Sequence, residues 1–303
     1  MIYLISLGGD LMFENTFNKT KSPFFGSYEY FDKLYKDIYN KTKESTIPIA
    51  SYHTFNIDFK NDILDFINKK YFPKDFKNII KALINTTNND NLRLCNLNIK
   101  GVKLQKKEFS KLAIFLKQNK TDGLYNVYDN KITYYNKDAL GHELLHMSST
   151  VNFKKCCISG FRQGCLYSGL NEAYTELLNR RKFFEEDFTN SSYKMSVSIL
   201  RMIELLAYDK SMLENAYFHN DPNFVYNTFC TYGTKKEFFT VLKYLDLFCN
   251  MIICPDNEIL YLMRDIVSRT LDDDKIKQAN TITSEYFESI KSKKSILIFR
   301  HKY

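Results

Sequence analysis

The chain has 303 residues, of which 44% are hydrophobic, and a formal net charge of +8 at pH 7. This length and hydrophobic content support a sizeable core and exclude a mainly disordered chain. The basic residues are scattered, whereas a nucleic-acid interface needs a concentrated basic stripe, so we expect no nucleic-acid partner.

The cysteines and the start of the chain bear on the compartment. There are seven cysteines, an odd number, and they show no C-x-x-C spacing, which favours reduced thiols over a disulfide framework. The apolar stretch that begins at Met1 lacks a basic n-region, and no segment reaches about 18 apolar residues, the length that spans a bilayer. The sequence therefore predicts a cytoplasmic protein with no membrane partner, and export by a signal-independent route is the alternative.

The N-terminal third has apolar residues at the spacing of amphipathic helices. The predicted helices cover residues 28–42, 58–70 and 74–85. The polar stretch 85–91 is rich in turn-forming residues and marks a candidate domain boundary. We therefore expect a mostly helical region over residues 1–90, which is either separate or covers the active-site cleft.

The middle of the chain, residues 91–190, mixes strand and helix patterns. Alternation predicts a strand over 92–99, and 123–136 has the pattern of a strand or a hairpin. Helices are predicted over 106–118, after the N-cap chemistry of 136–138, and over 171–184, with a loop rich in Cys and Gly before the last of these.

The remaining part, residues 191–303, has an almost entirely helical pattern. Its predicted helices cover 192–208, 235–251, 258–271 and 274–292. Taken together, these elements predict an α+β fold that is predominantly helical, with a small sheet and a helical C-terminal part.

The segment Gly141-His-Glu-Leu-Leu-His146 carries the candidate chemistry. On a helix, His142 and His146 lie on one face as residues i and i+4, so their imidazoles can reach one ion. Neutral imidazole nitrogens suit Zn²⁺. Glu143 is placed to act as a general base on a zinc-bound water. The alternative is an amphipathic helix with two incidental histidines.

A second segment, Gly169-Leu-Asn-Glu-Ala-Tyr-Thr-Glu176, strengthens the prediction of a metal site. Glu172 and Glu176 are also i and i+4 on a predicted helix. One carboxylate can bind the metal while the other accepts the free ring N–H of a ligating histidine, which orients the ring. The alternative is a charged surface face that extends from Glu172 to Arg180.

These two segments together resemble the active-site pattern of the gluzincin branch of the zincin metallopeptidases, which includes the thermolysin-like enzymes. The resemblance covers about residues 142–176, and it implies a zincin-like core, Zn²⁺ as cofactor and peptide-bond hydrolysis. It assigns His142, His146 and Glu172 as ligands, Glu143 as base and Glu176 as the acid that orients a histidine. Thermolysin-like enzymes usually have Asp where this chain has Glu176, and the extra methylene alters its reach. The third histidine of the metzincins is absent, because Ser149 and Asn152 stand at the Gly and His positions of that motif.

The resemblance also implies residues outside the two motifs. The oxyanion of a tetrahedral intermediate needs a donor besides the metal, and Tyr167 is the first candidate, with His219 second. An ordinary packed or exposed residue is the alternative for each. Arg162 is a candidate for contact with a substrate carboxylate or carbonyl. The strand over 131–135 is expected to be the cleft's edge strand, to which an extended peptide adds.

Three readings of function follow from these observations. We expect a zinc metallopeptidase that acts on a peptide or protein substrate. A non-catalytic zincin-fold binding protein and a zinc hydrolase of a non-peptide amide or ester are the alternatives. Three cysteines between the motifs, Cys156, Cys157 and Cys165, are expected to be structural or incidental redox groups, because two histidines, one glutamate and a water already complete a four-ligand zinc shell.

Overall fold

A computed structural model describes residues 28–42, 52, 54–107, 123–153, 156–163, 166–188, 191, 193–250 and 256–300, without the side chains of 152, 153, 156, 157 and 292–300. The helices in the first half of the chain are α1 (Tyr28–Lys41), α2 (Phe59–Lys69), α3 (Lys74–Thr86), α4 (Arg93–Ile99) and α5 (Lys137–Ser148). Those in the second half are α6 (Ser168–Phe183), α7 (Lys194–Leu206), α8 (Lys210–Phe218), α9 (Pro222–Cys230), α10 (Lys235–Cys249), α11 (Asn257–Ser268) and α12 (Asp273–Arg300). The strands are β1 (Lys103–Lys106), β2 (Gly123–Asn126), β3 (Lys131–Tyr134), β4 (Thr150–Phe153), β5 (Cys156–Ser159) and β6 (Arg162–Gln163).

The predicted helices of the N-terminal third are confirmed by α1, α2 and α3. Helix α2 begins after Asp58, whose side chain accepts a hydrogen bond from the backbone N–H of Asn61 at 3.0 Å. This N-cap satisfies one of the free N–H groups of the first turn. The apolar face of each helix is buried, which is the arrangement that the helical spacing predicts.

The prediction of a strand over 92–99 is wrong, because a 3₁₀ turn (Asp90–Leu92) and α4 occupy this segment. Leu92, Cys95 and Ile99 are all fully buried, and their spacing of three and four residues is that of a helix. A short apolar run fits both periods, so tertiary packing decides between them. Of the helix predicted over 106–118, Lys106 belongs to β1, and residues 108–118 lie outside the described residues.

Two small sheets flank α5. The first has the order β1-β3-β2, with β1 parallel and β2 antiparallel to β3. The β2–β3 hairpin confirms the prediction for 123–136, and Asn130 turns the chain in the left-handed region at φ 45°. The second sheet, β4-β5-β6, is antiparallel and occupies the segment that was expected to be a loop.

Helix α6 is the central element of the described core. It packs against α5, α7 and α10, and most of its side chains are buried on all sides. The leucines of the two motif-bearing helices, Leu144, Leu145, Leu177 and Leu178, have no exposed surface. The C-terminal helices predicted from periodicity correspond to α7, α10, α11 and α12, and α8 and α9 lie between them.

The architecture is therefore α+β and mostly helical, as expected. Among the described residues, none of the helices has the length and apolar character needed to cross a membrane.

Gly169 tests the packing of α6 on α10. A Cβ at this position would lie 2.2 Å from the backbone oxygen of Leu245, and a backbone atom in a packed helix cannot move aside cheaply. Gly169→Ala should lower the free energy of unfolding by about 1–3 kcal/mol, measured by denaturant or thermal unfolding. In the control Gly101→Ala, the new Cβ lies 3.4 Å from the nearest atom, a side-chain nitrogen, so stability should change by less than about 0.5 kcal/mol. Equal stability of the two variants would contradict the packing described here.

Candidate metal centre

Helix α5 presents its two histidines into a buried space. Asn136 caps the helix, and its side-chain oxygen accepts a hydrogen bond from the N–H of Ala139 at 2.8 Å. The cap fixes where the helix begins and places His142 and His146 one turn apart on the same side. Both side chains are 11% exposed, so the imidazoles are largely withdrawn from water.

Glu172 on α6 completes a compact set of three groups that could hold a metal ion. The Nε2 atoms of His142 and His146 are 3.1 Å apart. The carboxylate of Glu172 lies 3.2 Å from the first of these nitrogens and 3.4 Å from the second. Zinc ligands held about 2.0–2.1 Å from the ion at tetrahedral angles lie roughly 3.3 Å from one another. The separations within this set therefore match the edges of a zinc coordination shell.

The donor chemistry fits a metal as well as the distances do. Among the described residues, these three form a set of His, Cys, Asp or Glu whose donor atoms all lie within 4.8 Å of one another. Two nitrogens and one oxygen are a ligand set that suits Zn²⁺ and leaves a fourth position open. The residues present therefore fit a bound divalent metal ion.

Glu176 orients the first histidine from the side away from the proposed metal. Its Oε2 lies 3.1 Å from Nδ1 of His142, and its Oε1 accepts a hydrogen bond from Nε of Arg180 at 2.7 Å. Arg180 in turn pairs with Asp138 on α5 at 3.2 Å. Glu176 and Arg180 are only 4% and 6% exposed, which rules out a solvent-exposed charged face at these two positions. The chain of contacts fixes the ring of His142 with Nε2 directed at the centre.

Asn171 supports the second histidine. Its amide oxygen accepts a hydrogen bond from the backbone N–H of Phe161 at 3.0 Å, and its amide nitrogen lies 3.4 Å from Nδ1 of His146. Because Asn171 directly precedes Glu172, the same turn of α6 carries the candidate carboxylate ligand and an amide that contacts His146.

Glu143 is held beside the three ligands by strand β2. The backbone N–H of Tyr125 donates to Oε2 of Glu143 at 2.7 Å. Gly123 makes room for this side chain, since a Cβ there would lie 2.9 Å from Cγ of Glu143. Burial raises the pKa of Glu143, and the nearby His142 and His146 oppose this only in part. A carboxylate with a raised pKa is suited to take and return a proton near neutral pH.

The expectation that 131–135 forms the edge strand of the cleft is wrong. β3 lies in the middle of its sheet, between β1 and β2. The strand beside Glu143 is β2, whose Tyr125 N–H is directed away from β3 and toward the carboxylate. The sequence suggested β3 because it directly precedes α5, but the hairpin folds the preceding strand onto the side of the metal centre.

The charges of the centre are strongly coupled. Burial disfavours the imidazolium of His142, but the hydrogen bonds that its ring N–H groups donate to Glu172 and Glu176 outweigh burial and raise the pKa of His142 well above its usual value. Burial likewise disfavours the Glu172 carboxylate, yet the two histidines hold its pKa well below the usual range. Burial would raise the pKa of Glu176 too, but His142 and Arg180 lower it to about 2. Without a metal, the centre therefore stabilises a proton on His142 and negative charge on both glutamates.

Tyr167 and His219 lie beside residues that are not part of the candidate metal centre. Tyr167 precedes α6 in the left-handed conformation at φ 59°, and burial, with the nearby Asp246 and Tyr226, raises its pKa to about 12. His219 ends α8, stacks on Tyr52 with ring centroids 4.3 Å apart, and has Nδ1 at 2.8 Å from the backbone oxygen of Asn215. Neither side chain is hydrogen-bonded to a ligand residue within the described part of the chain. Their role as oxyanion donors stays a prediction, as does the role of Arg162 on β6.

Tyr193 is a residue near the centre that the sequence analysis missed. Its ring lies 6.3 Å from that of His142, centroid to centroid, with an angle of 15° between the planes. Burial raises its pKa well above the usual value, and the carboxylates of Glu172 and Glu176 add to the rise. The stacking places its ring beside one of the candidate metal ligands. Nothing in the sequence distinguishes it from the other 21 tyrosines, since 22 are present.

The role of the three cysteines between the motifs stays a prediction. The side chains of Cys156 and Cys157 are not among those described, and neither is any part of Cys165.

The ligand assignment predicts a ranking of two alanine variants. Glu172→Ala removes a metal-binding oxygen, whereas Glu176→Ala removes only the group that orients His142. Zinc affinity, measured by competition with a chelator, should therefore fall much further in the first variant; the second should lose about 10–100-fold. A larger loss in Glu176→Ala would mean that the two roles are exchanged.

The raised pKa of His142 predicts that zinc competes with a proton. Below the raised pKa the metal must displace this proton, so zinc affinity should rise with pH and then level off above it. For one displaced proton the change is about tenfold per pH unit. Calorimetric titrations in buffers of different ionisation enthalpy measure the protons released. Zinc binding without proton release at neutral pH would contradict a protonated His142 in the metal-free protein.

Comparison with protein-family models, with curated proteins and with solved structures found no match. The functional interpretation therefore rests on the residues and geometry of the metal centre.

Proposed function

We propose that this protein is a zinc-dependent metallohydrolase that cleaves peptide bonds. The observation that carries the proposal is the convergence of His142, His146 and Glu172 on one buried point, with Glu143 directly beside it. A metal-binding set alone would fit a structural zinc site. The open fourth position and the adjacent carboxylate of raised pKa are features of catalytic zinc sites.

Each residue of the centre has a role in this chemistry. Bound Zn²⁺ supplies Lewis acidity to a substrate carbonyl and lowers the pKa of a coordinated water to about 7. Glu143 accepts a proton from the attacking water and donates it to the nitrogen of the leaving amine. Glu176 and Asn171 keep the two imidazoles in position while these transfers occur.

The position of β2 favours a peptide as substrate. Tyr125 N–H faces away from the sheet and toward Glu143, so the outer edge of β2 runs past the proposed base. An extended peptide that adds to this edge by backbone hydrogen bonds would bring its own carbonyl groups to the metal centre. A small non-peptide amide or ester would make no use of such an edge.

Two other functions are compatible with the same fold. A non-catalytic protein could keep the metal for binding, but such a protein has no need of Glu143 in its position beside the ligands. A hydrolase of a non-peptide amide or ester would use the same centre and differ only in what the cleft accepts.

The variant Glu143→Gln separates catalysis from metal binding. Glutamine keeps the size of the side chain but cannot take a proton, so cleavage should fall by about 10²–10⁴-fold while zinc stays bound. The assay is cleavage of an unbiased peptide library, with zinc content measured in the same samples.

The library assay needs two controls. Wild-type protein treated with a chelator should lose cleavage and recover it when zinc is added back. His142→Ala should lose both zinc and cleavage. Cleavage by Glu143→Gln at the wild-type rate would remove Glu143 as the base, and a wild type that holds zinc but cleaves no peptide would favour the binding-protein or non-peptide alternative.

Tyr193 adds a third candidate for the oxyanion donor to Tyr167 and His219. If its hydroxyl contacts the developing oxyanion, Tyr193→Phe should lower kcat by about 10²–10³-fold and change KM little. Tyr167→Phe removes the same hydroxyl from the first candidate, whose side chain lies near Asp246, so a comparison of the two variants shows which tyrosine supplies the donor. An unchanged kcat in Tyr193→Phe would exclude the role.

A further inference from the structure

A buried carboxylate outside the metal centre lies against the start of α6. Asp246, in the last turn of α10, has no exposed surface. Its Oδ1 accepts hydrogen bonds from the backbone N–H of Gly169 at 2.5 Å and from the hydroxyl of Ser168 at 3.1 Å. Its Oδ2 accepts from the hydroxyl of Tyr35 on α1 at 2.5 Å. A carboxylate without solvent is costly to bury, so the three donors are needed to keep it there.

Helix α6 has no cap from its own preceding residue. Tyr167 stands at the N-cap position in the left-handed conformation, and its side chain makes no capping hydrogen bond. The first N–H groups of a helix have no partner within the helix, and a negative charge near them is favourable. Asp246 supplies both the acceptor and the charge from a helix more than seventy positions later in the chain. Burial raises the pKa of Asp246 to about 6, although its three hydrogen-bond donors favour the ionised carboxylate.

The first turn of α6 is linked directly to the metal-binding carboxylate. Glu172 follows Gly169 by three residues, which is less than one turn of helix and about 4.5 Å along its axis. The helical hydrogen bond of the Glu172 N–H goes to the carbonyl of Ser168, one of the two residues that Asp246 holds. The close backbone approach of Gly169 to Leu245 places this turn directly against α10. If the first turn frays, Glu172 is the metal ligand that loses its support.

We propose that Asp246 is a positioning residue for the metal centre. It fixes the first turn of α6 against α10 and thereby holds the carboxylate of Glu172 opposite His142 and His146. Through the hydroxyl of Tyr35 it also couples zinc affinity to the docking of α1. The inference rests on the zinc site proposed above, and the coupling is reciprocal, so zinc strengthens the docking of α1 by the same factor.

Zinc affinity of four variants tests this role, by competition with a chelator in the full chain. Asp246→Ala should bind zinc about tenfold more weakly. Asp246→Asn keeps an acceptor for α6 and should stay within about threefold of wild type. Tyr35→Phe removes a single hydroxyl and should lose about threefold. The control is Glu214→Ala, which removes the partner of the buried Lys182 at the other end of α6, 2.7 Å away, and should leave zinc affinity unchanged.

Thermal melting with and without zinc separates positioning from general destabilisation. Both Asp246→Ala and Glu214→Ala should lower Tm, because each leaves buried polar groups unpaired. Only the first should also reduce the rise in Tm that saturating zinc produces. If Asp246→Ala does not fold, the loss of zinc affinity in Tyr35→Phe, compared with the unchanged affinity expected in Glu214→Ala, still tests the inference.

Three results would overturn the inference. These are unchanged zinc affinity in Asp246→Ala or Tyr35→Phe, an equal loss in Glu214→Ala, and a loss in Asp246→Asn as large as that in Asp246→Ala. A wild type that binds no zinc would instead remove the proposed metal site itself, so the two failures are distinguishable.

Discussion

The contact between α5 and α6 brings two imidazole nitrogens and a carboxylate to one buried point, and the rest of the structure depends on it. Two unprotonated Nε2 atoms 3.1 Å apart direct lone pairs at each other, which is unfavourable unless a cation or a proton lies between them. A proton on His142 serves this purpose in the metal-free protein, and the carboxylates of Glu172 and Glu176, which raise the pKa of His142, stabilise that proton. A zinc ion bound here would compete with this proton for the same electron pairs. Folding therefore creates a site in which a positive charge, from a proton or a metal ion, is favourable.

Helix α6 is secured on both sides of Glu172. On the C-terminal side, Glu176 and Arg180 connect it to α5 through Asp138. On the N-terminal side, Asp246 holds its first turn against α10. Both anchors are buried charged groups, which cost free energy to desolvate and stay favourable only when fully paired. The buried charged groups that anchor α6 are thus also the groups that set the geometry of the proposed zinc centre.

How much the sequence can predict depends on whether a feature is local. The two histidines and the two glutamates are spaced within single helices, so their shared faces follow from helical periodicity alone. The anchor at Asp246 and the ring of Tyr193 come from distant parts of the chain, and no local pattern marks them. The segment 92–99 was misassigned because its apolar residues fit two periods and only packing chooses between them. Helix α9 was missed although its start, an Asp221 cap followed by proline, is a local signal.

The position of the edge strand is likewise not predictable from local sequence, because it depends on the topology of the sheet. β3 precedes the metal helix in sequence, yet the hairpin puts β2 beside Glu143. A resemblance over some thirty-five residues can assign roles to those residues, but it carries no information about how the preceding hairpin folds.

His142, His146 and Glu172 are proposed to bind one zinc ion. Zinc X-ray absorption spectroscopy of the protein loaded with one equivalent of Zn²⁺ tests it most directly. We expect four-coordinate zinc with two imidazole nitrogens and oxygen ligands at about 2.0–2.1 Å. Sulfur at about 2.3 Å, or no bound zinc, would contradict the proposed ligand set.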